Sequence, residues 1–474
     1  MHLYYKSIYS LLFLIMRIKV LIIGIFTFII AIIGFNTGIF WDNTTFVSAM
    51  GNVLYENGIF AWGSIPASSD PGHPPFIATL LSAAWNIFGK SLLISHIVII
   101  PFVLGLLWQI WNTCDYFIDN NKEKILAFLL VSADATLLSQ MTLVTTEIPL
   151  LFFFFLALNG LLRKKYWLKA LGLMLLGIVS LRGMMLCGGL FIVDIILNKR
   201  SIKWQPYVIG ALPAIAFIIW RLAFKGWIIS NPESNWGEAF GYVSLSGFLK
   251  NFIWNIAVIG QRFLDFGRAV PLLLILFTIV LRRGWKKESY KKLLIISLGS
   301  TSLIWIVSLF IVNPIGHRYF TVSYILLLLL AFMMLREYAH RWVVYCVLII
   351  SLLAGDFIVY PDKMAQGWDA SLAQLHYWGV RRDMIDYIDK EKIDIKNIAT
   401  FFPNGGEIDN VDLNDDHRRW AEFTGNEPYV FYSNVFNLSD EEIDLIHRDY
   451  RLVQCFSSFG VRTELYEKKE EQTP

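Results

Sequence analysis

Apolar residues in this chain fall in long, nearly unbroken runs, unlike the alternation of surface strands or the single stripe of surface helices. Runs near 18–39, 92–117, 124–140, 145–162, 166–181, 183–198, 206–224, 268–283, 291–312, 318–336 and 341–355 approach or reach the length that spans a hydrocarbon core about 30 Å thick. Inside such a core every backbone group must be bonded within its own helix, so the runs predict about eleven transmembrane helices. Between the first two runs, 40–91 is a loop too long for a turn. Phe46, Met50, Val53 and Leu54 recur there at helical spacing and suggest a helix lying on the membrane, while 74–88 is a short apolar stretch suited to a surface or re-entrant helix. A second long loop, 225–267, carries Trp227, Trp236, Tyr242, Phe248, Phe252 and Trp254, aromatics that favour the headgroup region.

After Gly355 the pattern changes. Strands are expected at 397–402, 429–433, 452–456 and 461–466, and helices at 381–389 and 440–449, the latter opened by a Ser439/Glu442 capping box. The expected architecture is an all-α polytopic membrane unit over 1–354 and a small extracytoplasmic α/β unit over 355–474.

Composition agrees with that pattern. The chain is 56% hydrophobic and 15% aromatic, above the roughly 45–50% apolar content of ordinary globular domains. Of 28 Lys and Arg before Gly355, 20 fall on one face of the predicted topology, in the groups 6–19, 122–124, 163–169, 199–203, 282–292 and 336–341. Positively charged loops stay cytoplasmic, so the N-terminus is expected inside and the C-terminus outside. Beyond Gly355 there are 24 acids and 13 bases, so the overall +3 conceals an acidic outer unit and a basic membrane unit. That asymmetry reflects topology and gives no support for nucleic-acid binding. The first run reads as a retained anchor, and Cys114, Cys187, Cys346 and Cys455 are too scattered for a disulfide framework.

Ionisable groups at membrane depth are costly and mark functional positions. Here they gather at the outer ends of the predicted spans. Asp42 follows the first span, and Glu147 opens the fourth in Thr145-Thr146-Glu147-Ile148-Pro149. Such acids serve as general base toward an acceptor hydroxyl or as ligands to a divalent cation, and acids at a helix start also cap it. His73, Arg182, Arg262, Arg268 and Arg318 lie at the same level. Arg182 has apolar flanks, and a buried guanidinium matches phosphate in charge and geometry. Snorkelling to headgroups is the alternative for Arg182, and more so for Arg262 and Arg268. Asp134 and Asp194 find no partner in the sequence. No Gly-rich phosphate loop, His-x-x-His pair or serine nucleophile elbow is present, which disfavours nucleotide-driven chemistry.

Trp41-Asp42, Gly72-His73-Pro74-Pro75-Phe76, Thr146-Glu147-Ile148-Pro149-Leu150, Leu181-Arg182-Gly183 and His317-Arg318-Tyr319-Phe320 occur in an order that resembles the C-type integral-membrane glycosyltransferases. Within them the pattern is similar to the bacterial aminoarabinose lipid A transferases and the protein O-mannosyltransferase-like enzymes. The resemblance covers about residues 18–340 and implies roles: Asp42 as base or acceptor-orienting acid, Glu147 as second acid, His73 and Arg182 near the phosphate of a lipid donor, and Arg318-Tyr319 opening a late span. Some relatives carry Lys at the positions of His73 and Arg182, and often two adjacent acids where Asp42 is followed by Asn43.

The expected function is sugar transfer from a polyprenyl-phosphate-linked donor to an envelope lipid, glycan or protein acceptor. Through the resemblance, the expected setting is the outer side of a bacterial cytoplasmic membrane. A divalent cation is compatible with Asp42 and Glu147. Two other readings remain open, a transporter or lipid-linked glycan flippase and a polysaccharide polymerase or ligase of related architecture. The one-sided charges and the lack of an internal repeat argue against a transporter.

Overall fold

The computed structural model describes residues 2–228, 241, 244–282, 287–312, 315–364 and 367–470. Trp236 and Tyr242 lie outside the described residues. In chain order the membrane unit contains α1 (His2–Gly34), α2 (Met50–Asn57), α3 (Phe76–Phe88), α4 (Leu92–Phe117), α5 (Asn121–Ser132), α6 (Ala135–Thr142), α7 (Glu147–Leu162) and α8 (Tyr166–Val179). It continues with α9 (Leu181–Asn198), α10 (Gln205–Lys225), α11 (Leu245–Leu264), α12 (Ala269–Arg282), α13 (Glu288–Phe310), α14 (Thr321–Leu335) and α15 (Arg341–Gly355).

All eleven apolar runs form helix, but among the described residues six helices are long and apolar enough to cross a membrane individually, or up to eight if each of two bent pairs is one span. The bends are 73° between α5 and α6 and 98° between α11 and α12. Helices α7 and α8 have 16 and 14 residues, short for a straight crossing at 1.5 Å per residue. Nearly every residue of α7 is buried against other helices, so its apolarity reflects burial in protein. Segment 225–267, expected as a loop, contains the twenty-residue α11. Its Phe248 stacks on Phe310 of α13 and its Phe252 packs against the same ring at a tilt, at 5.9 and 5.7 Å between ring centroids. The helix expected around residue 50 begins as a π-helix, Thr44–Ala49, and continues as α2. Val47, Met50 and Leu54 of this stretch are buried rather than laid on the membrane.

The two bends are stitched together. Asp134 caps α6 by accepting from the Leu137 amide at 3.0 Å, and it also takes Arg268 Nε at 2.7 Å from the start of α12. At the sharper break Phe266 and Gly267 both have positive φ, and a Cβ on Gly267 would fall 1.8 Å from the Ser351 carbonyl oxygen. Only glycine fits that crossing. Asp194, the other acid without a sequence partner, accepts from Lys169, Tyr207 and Asn198 at 2.6–2.8 Å.

The C-terminal unit contains α16 (Leu375–Lys390), β1 (Ile398–Thr400), α17 (Asp409–Asp412), β2 (Ala421–Glu422), β3 (Tyr429–Ser433), α18 (Asp440–Asp449), β4 (Tyr450–Ser458) and β5 (Val461–Lys468). Its sheet has the order β2-β1-β3-β5-β4, parallel among β2, β1 and β3 and antiparallel across β3, β5 and β4. The expected strands and helices are all present, as is the Ser439/Glu442 capping box. The core of this unit reaches into the membrane unit. It includes Phe40 and Leu143 beside Trp378, Val430 and Leu465. A Cβ on Gly38 would lie 2.5 Å from the Trp378 ring, and the Ile39 amide donates to the Val411 carbonyl at 2.8 Å.

Candidate functional site

Asp42 is placed by a strained turn. After α1 ends, 38–41 docks on the C-terminal unit, and Trp41 adopts φ +57, a conformation costly for a bulky side chain. Its indole packs edge-on against Phe402 at 5.2 Å. The turn aims the half-buried Asp42 at Arg318, which lies in the short 3₁₀ turn His317–Phe320 that opens α14.

Arg318 is the centre of the site. Its Nη2 donates to Asp42, its Nη1 to Asp369, and its Nε lies 3.8 Å from Glu147 Oε1. Glu147, in the first turn of α7, also pairs with Arg182 of α9, through Nη1 at 2.9 Å and again through Nη2. The Tyr319 ring sits beneath both guanidiniums, 4.4 Å from Arg182 and 5.5 Å from Arg318. Three acids and two arginines, drawn from five separate segments, thus form one interlocked cluster. Glu147 and Asp369 are almost fully buried, with side chains 2% and 3% exposed, whereas Asp42 is 23% exposed. Asp42 is the acid that solvent or a substrate reaches first.

Sequence reasoning missed Asp369. It lies in the 3₁₀ turn Trp368–Ala370, on a buried strap leading to α16. Gln140 of α6 donates Nε2 to the Asp369 carbonyl at 2.8 Å and to its carboxylate at 3.2 Å, while accepting from Thr145 at 2.9 Å. Thr136 holds the next carbonyl, that of Ala370, at 3.1 Å. An isolated acid after the last apolar run was the only available signal.

His73 lies near this cluster, beside the Phe46 ring at 5.7 Å. Its loop is built by Gly72 at φ +88, by the Gly72 amide donating to Asp70 at 3.0 Å, and by Arg221 of α10 donating to the Gly72 and His73 carbonyls. Arg221 was also missed, although a lone arginine at the end of an apolar run is itself a signal. Burial, and then the charges of Arg182, Arg221 and Arg318, push the imidazole down to about 3, so His73 is neutral. Its Nδ1 is sealed from solvent and has no hydrogen-bond partner among the described residues.

Arg262 and Arg268 are not in the cluster. Arg262 donates Nε to the Ile315 carbonyl at 3.0 Å and faces Asp265 at 3.7 Å, while Arg268 is held by Asp134 and Thr136. His317, the neighbour of Arg318, joins this second network through Asp265 at 2.7 Å. Nor do Asp42 and Glu147 fit a shared cation, since the Arg318 guanidinium stands between them. Among the described residues no group of three His, Cys, Asp or Glu side chains is arranged to hold a metal.

No family model matches the chain, and no curated protein matches it. Among solved structures, the crystal structure of ArnT from Cupriavidus metallidurans bound to undecaprenyl phosphate is similar, with a TM-score of 0.52 at 10% sequence identity. The likeness covers 95% of this chain and 98% of that chain, so membrane unit and C-terminal unit are matched together. The chain shares the fold of a multi-pass helical membrane protein with an α/β unit at its C-terminal end.

Proposed function

We propose that this protein is a glycosyltransferase that moves a hexosyl or pentosyl group from a polyprenyl-phosphate-linked donor to an envelope lipid, glycan or protein. The reading places residues 1–354 in the cytoplasmic membrane as a multi-pass bundle, N-terminus inside, with 355–474 outside over the site. The observation that carries it is the largely buried cluster in which Arg318 pairs with the partly exposed Asp42 and Arg182 with Glu147, both guanidiniums backed by the Tyr319 ring. Its fold, shared with a protein crystallised with undecaprenyl phosphate, supports the choice of donor.

In this reading the donor phosphate takes over guanidinium nitrogens now held by carboxylates. Exchange at Arg318 Nη2 releases Asp42, the most exposed acid, which then accepts the proton of the acceptor hydroxyl. The acceptor oxygen bonds to the anomeric carbon as the bond from that carbon to the phosphate oxygen breaks. The negative charge that grows on the phosphate is met by donors already in place, Arg182, Arg318 and the neutral His73. Glu147 holds both arginines in register. Cleavage of the bond between the sugar and the phosphate supplies the driving force, the lipid leaves as its phosphate, and no step passes through a metal.

The test is thermal unfolding of the purified protein in detergent with undecaprenyl phosphate and a panel of polyprenyl-phosphate sugars. A ligand that binds only the folded state raises the midpoint with the logarithm of its concentration. Stabilisation that is lost in Arg182→Ala, together with an Asp42→Asn variant that still binds but no longer transfers, is the expected outcome. A folded native protein that none of these lipids stabilises would refute the reading.

A further inference from the structure

The strands β4 and β5 are joined by a two-residue turn, Phe459-Gly460, with φ of +47 and +82. Turns of this kind need positive φ at both positions and are normally filled by Asn, Asp or Gly. A phenylalanine there is strained, and it is also 76% exposed. Strain and an unburied aromatic ring both count against the folded unit by itself. The tip is nevertheless rigidly founded, since the His376 ring lies beneath Phe459 at 4.5 Å and His376 bonds Ser458 at 3.3 Å.

The position of the tip shows what it meets. Helix α15 presents an exposed apolar stripe, Val343, Val347, Ile350 and Leu353, at intervals of three and four residues. Phe357, four residues beyond Leu353 and 71% exposed, extends the stripe past the helix end. The acid between them, Asp356, is turned inward and accepts from the Leu372 amide at 3.0 Å, so no charge interrupts the stripe. Two residues after Phe357, Val359 packs on the turn, 3.6 Å from the Cβ position of Gly460. Arg462 fastens the same segment through Asp362. The apolar stripe of α15 and Phe357 thus leads, within two residues, to the Val359 contact beneath the exposed Phe459 turn.

We propose that the Phe459 turn is a membrane-docking finger, seated at the headgroup boundary of the leaflet that α15 leaves. Aromatic rings are favoured at that depth, and burial there compensates both the strain and the exposure. The finger fixes the end of the sheet that packs on α16, where Thr463 donates to the Val380 carbonyl at 2.9 Å, and α16 follows the strap that carries Asp369. The inference stands on α15 and the hairpin, independently of the reaction.

The test uses the full chain in lipid nanodiscs, in a Cys346→Ser/Cys455→Ser background, with an environment-sensitive fluorophore attached at Phe459→Cys. Leu452→Cys, an exposed position at the far end of β4, is the control. Blue-shifted emission at 459, quenched by lipids with a nitroxide at the top of the acyl chain and unmatched at 452, is expected. Emission at 459 that matches the control and is not quenched overturns the proposal. A second variant, Phe459→Asn, suits the turn and preserves the hairpin. In nanodiscs it should exchange the amides of 356–364 and 456–462 several-fold faster than native, and unchanged exchange likewise overturns the proposal.

Discussion

Arg318 serves three carboxylates with one planar group, so the most informative substitution keeps its charge and removes its fork. Arg318→Lys leaves a point charge that cannot bridge Asp42 and Asp369 at once. Loss of a preorganised donor of this kind typically costs about 10²–10³ in kcat. Measured with the lipid-linked sugar that binds, kcat is expected to fall in that range. If Asp369 acts through Arg318, Asp369→Asn should lower kcat/KM in the native background and do little in Arg318→Lys, whereas a merely structural role would give additive losses in the double-mutant cycle. Asp356 gives a prediction about pH. Burial first, and then the charge of Asp134, raise its carboxyl from 3.8 to about 7. The folded state therefore binds this proton more tightly than the unfolded chain, and the associated stability, full at low pH, is lost as pH rises toward and through 7. Asp356→Asn keeps an acceptor for the Leu372 amide and should unfold a few degrees higher than native at pH 8, a difference that shrinks as pH falls and vanishes below about 4, where both states hold the proton. Equal midpoints at pH 8 would contradict this assignment. Asp42, Glu147, Arg182, Arg318 and Tyr319 were legible in the sequence because four of them are ionisable groups in apolar surroundings. Asp369, Gln140 and Arg221 were not, because their partners lie 51 to 229 residues away and only tertiary structure joins them.

Among the helices, close approach is made through glycine. A Cβ on Gly189 of α9 would fall 2.0 Å from the Ser300 carbonyl oxygen of α13, and one on Gly172 of α8 would lie 2.5 Å from the Ala157 amide nitrogen of α7. Backbone cannot yield as a flexible side chain does, so Gly189→Ala or Gly172→Ala should force helices apart at a cost of about 1–3 kcal/mol, seen as a lowered unfolding midpoint. Gly247→Ala, where the nearest atom is a serine hydroxyl 3.2 Å away, is the control expected to matter least. The helices over the eleven apolar runs were legible because long apolar runs have no other stable form in lipid, whereas α11 lay in a segment read as a loop. Their service as spans was not, because a helix buried in protein, such as α7, is as apolar as one facing lipid. The bends between α5 and α6 and between α11 and α12 were equally hidden, since Arg268 and Asp134 that join them are 134 residues apart.

For the molecule as a whole, the two units share a core rather than merely touching. Ending the chain after Gly355 removes Asp369 and uncovers Gly38, Phe40 and Leu143. Such a truncation should lose transfer entirely and unfold at lower temperature than the full chain, even with α1 to α15 retained. The secondary structure of the C-terminal unit was legible from its alternation and its capping box. Its docking was not, since 38–41 carries no pattern that names Trp378 or Val411 as partners. The strap that brings Asp369 to Arg318 also has a consequence for biosynthesis. Each helix of the bundle leaves the ribosome before Asp369 does, so Arg318 enters the membrane without one of its three acids. The charge balance of the site is completed only when the last quarter of the chain has emerged and folded back. Under the proposed function, a half-made protein would thereby be kept from acting on its donor until the C-terminal unit has closed the site.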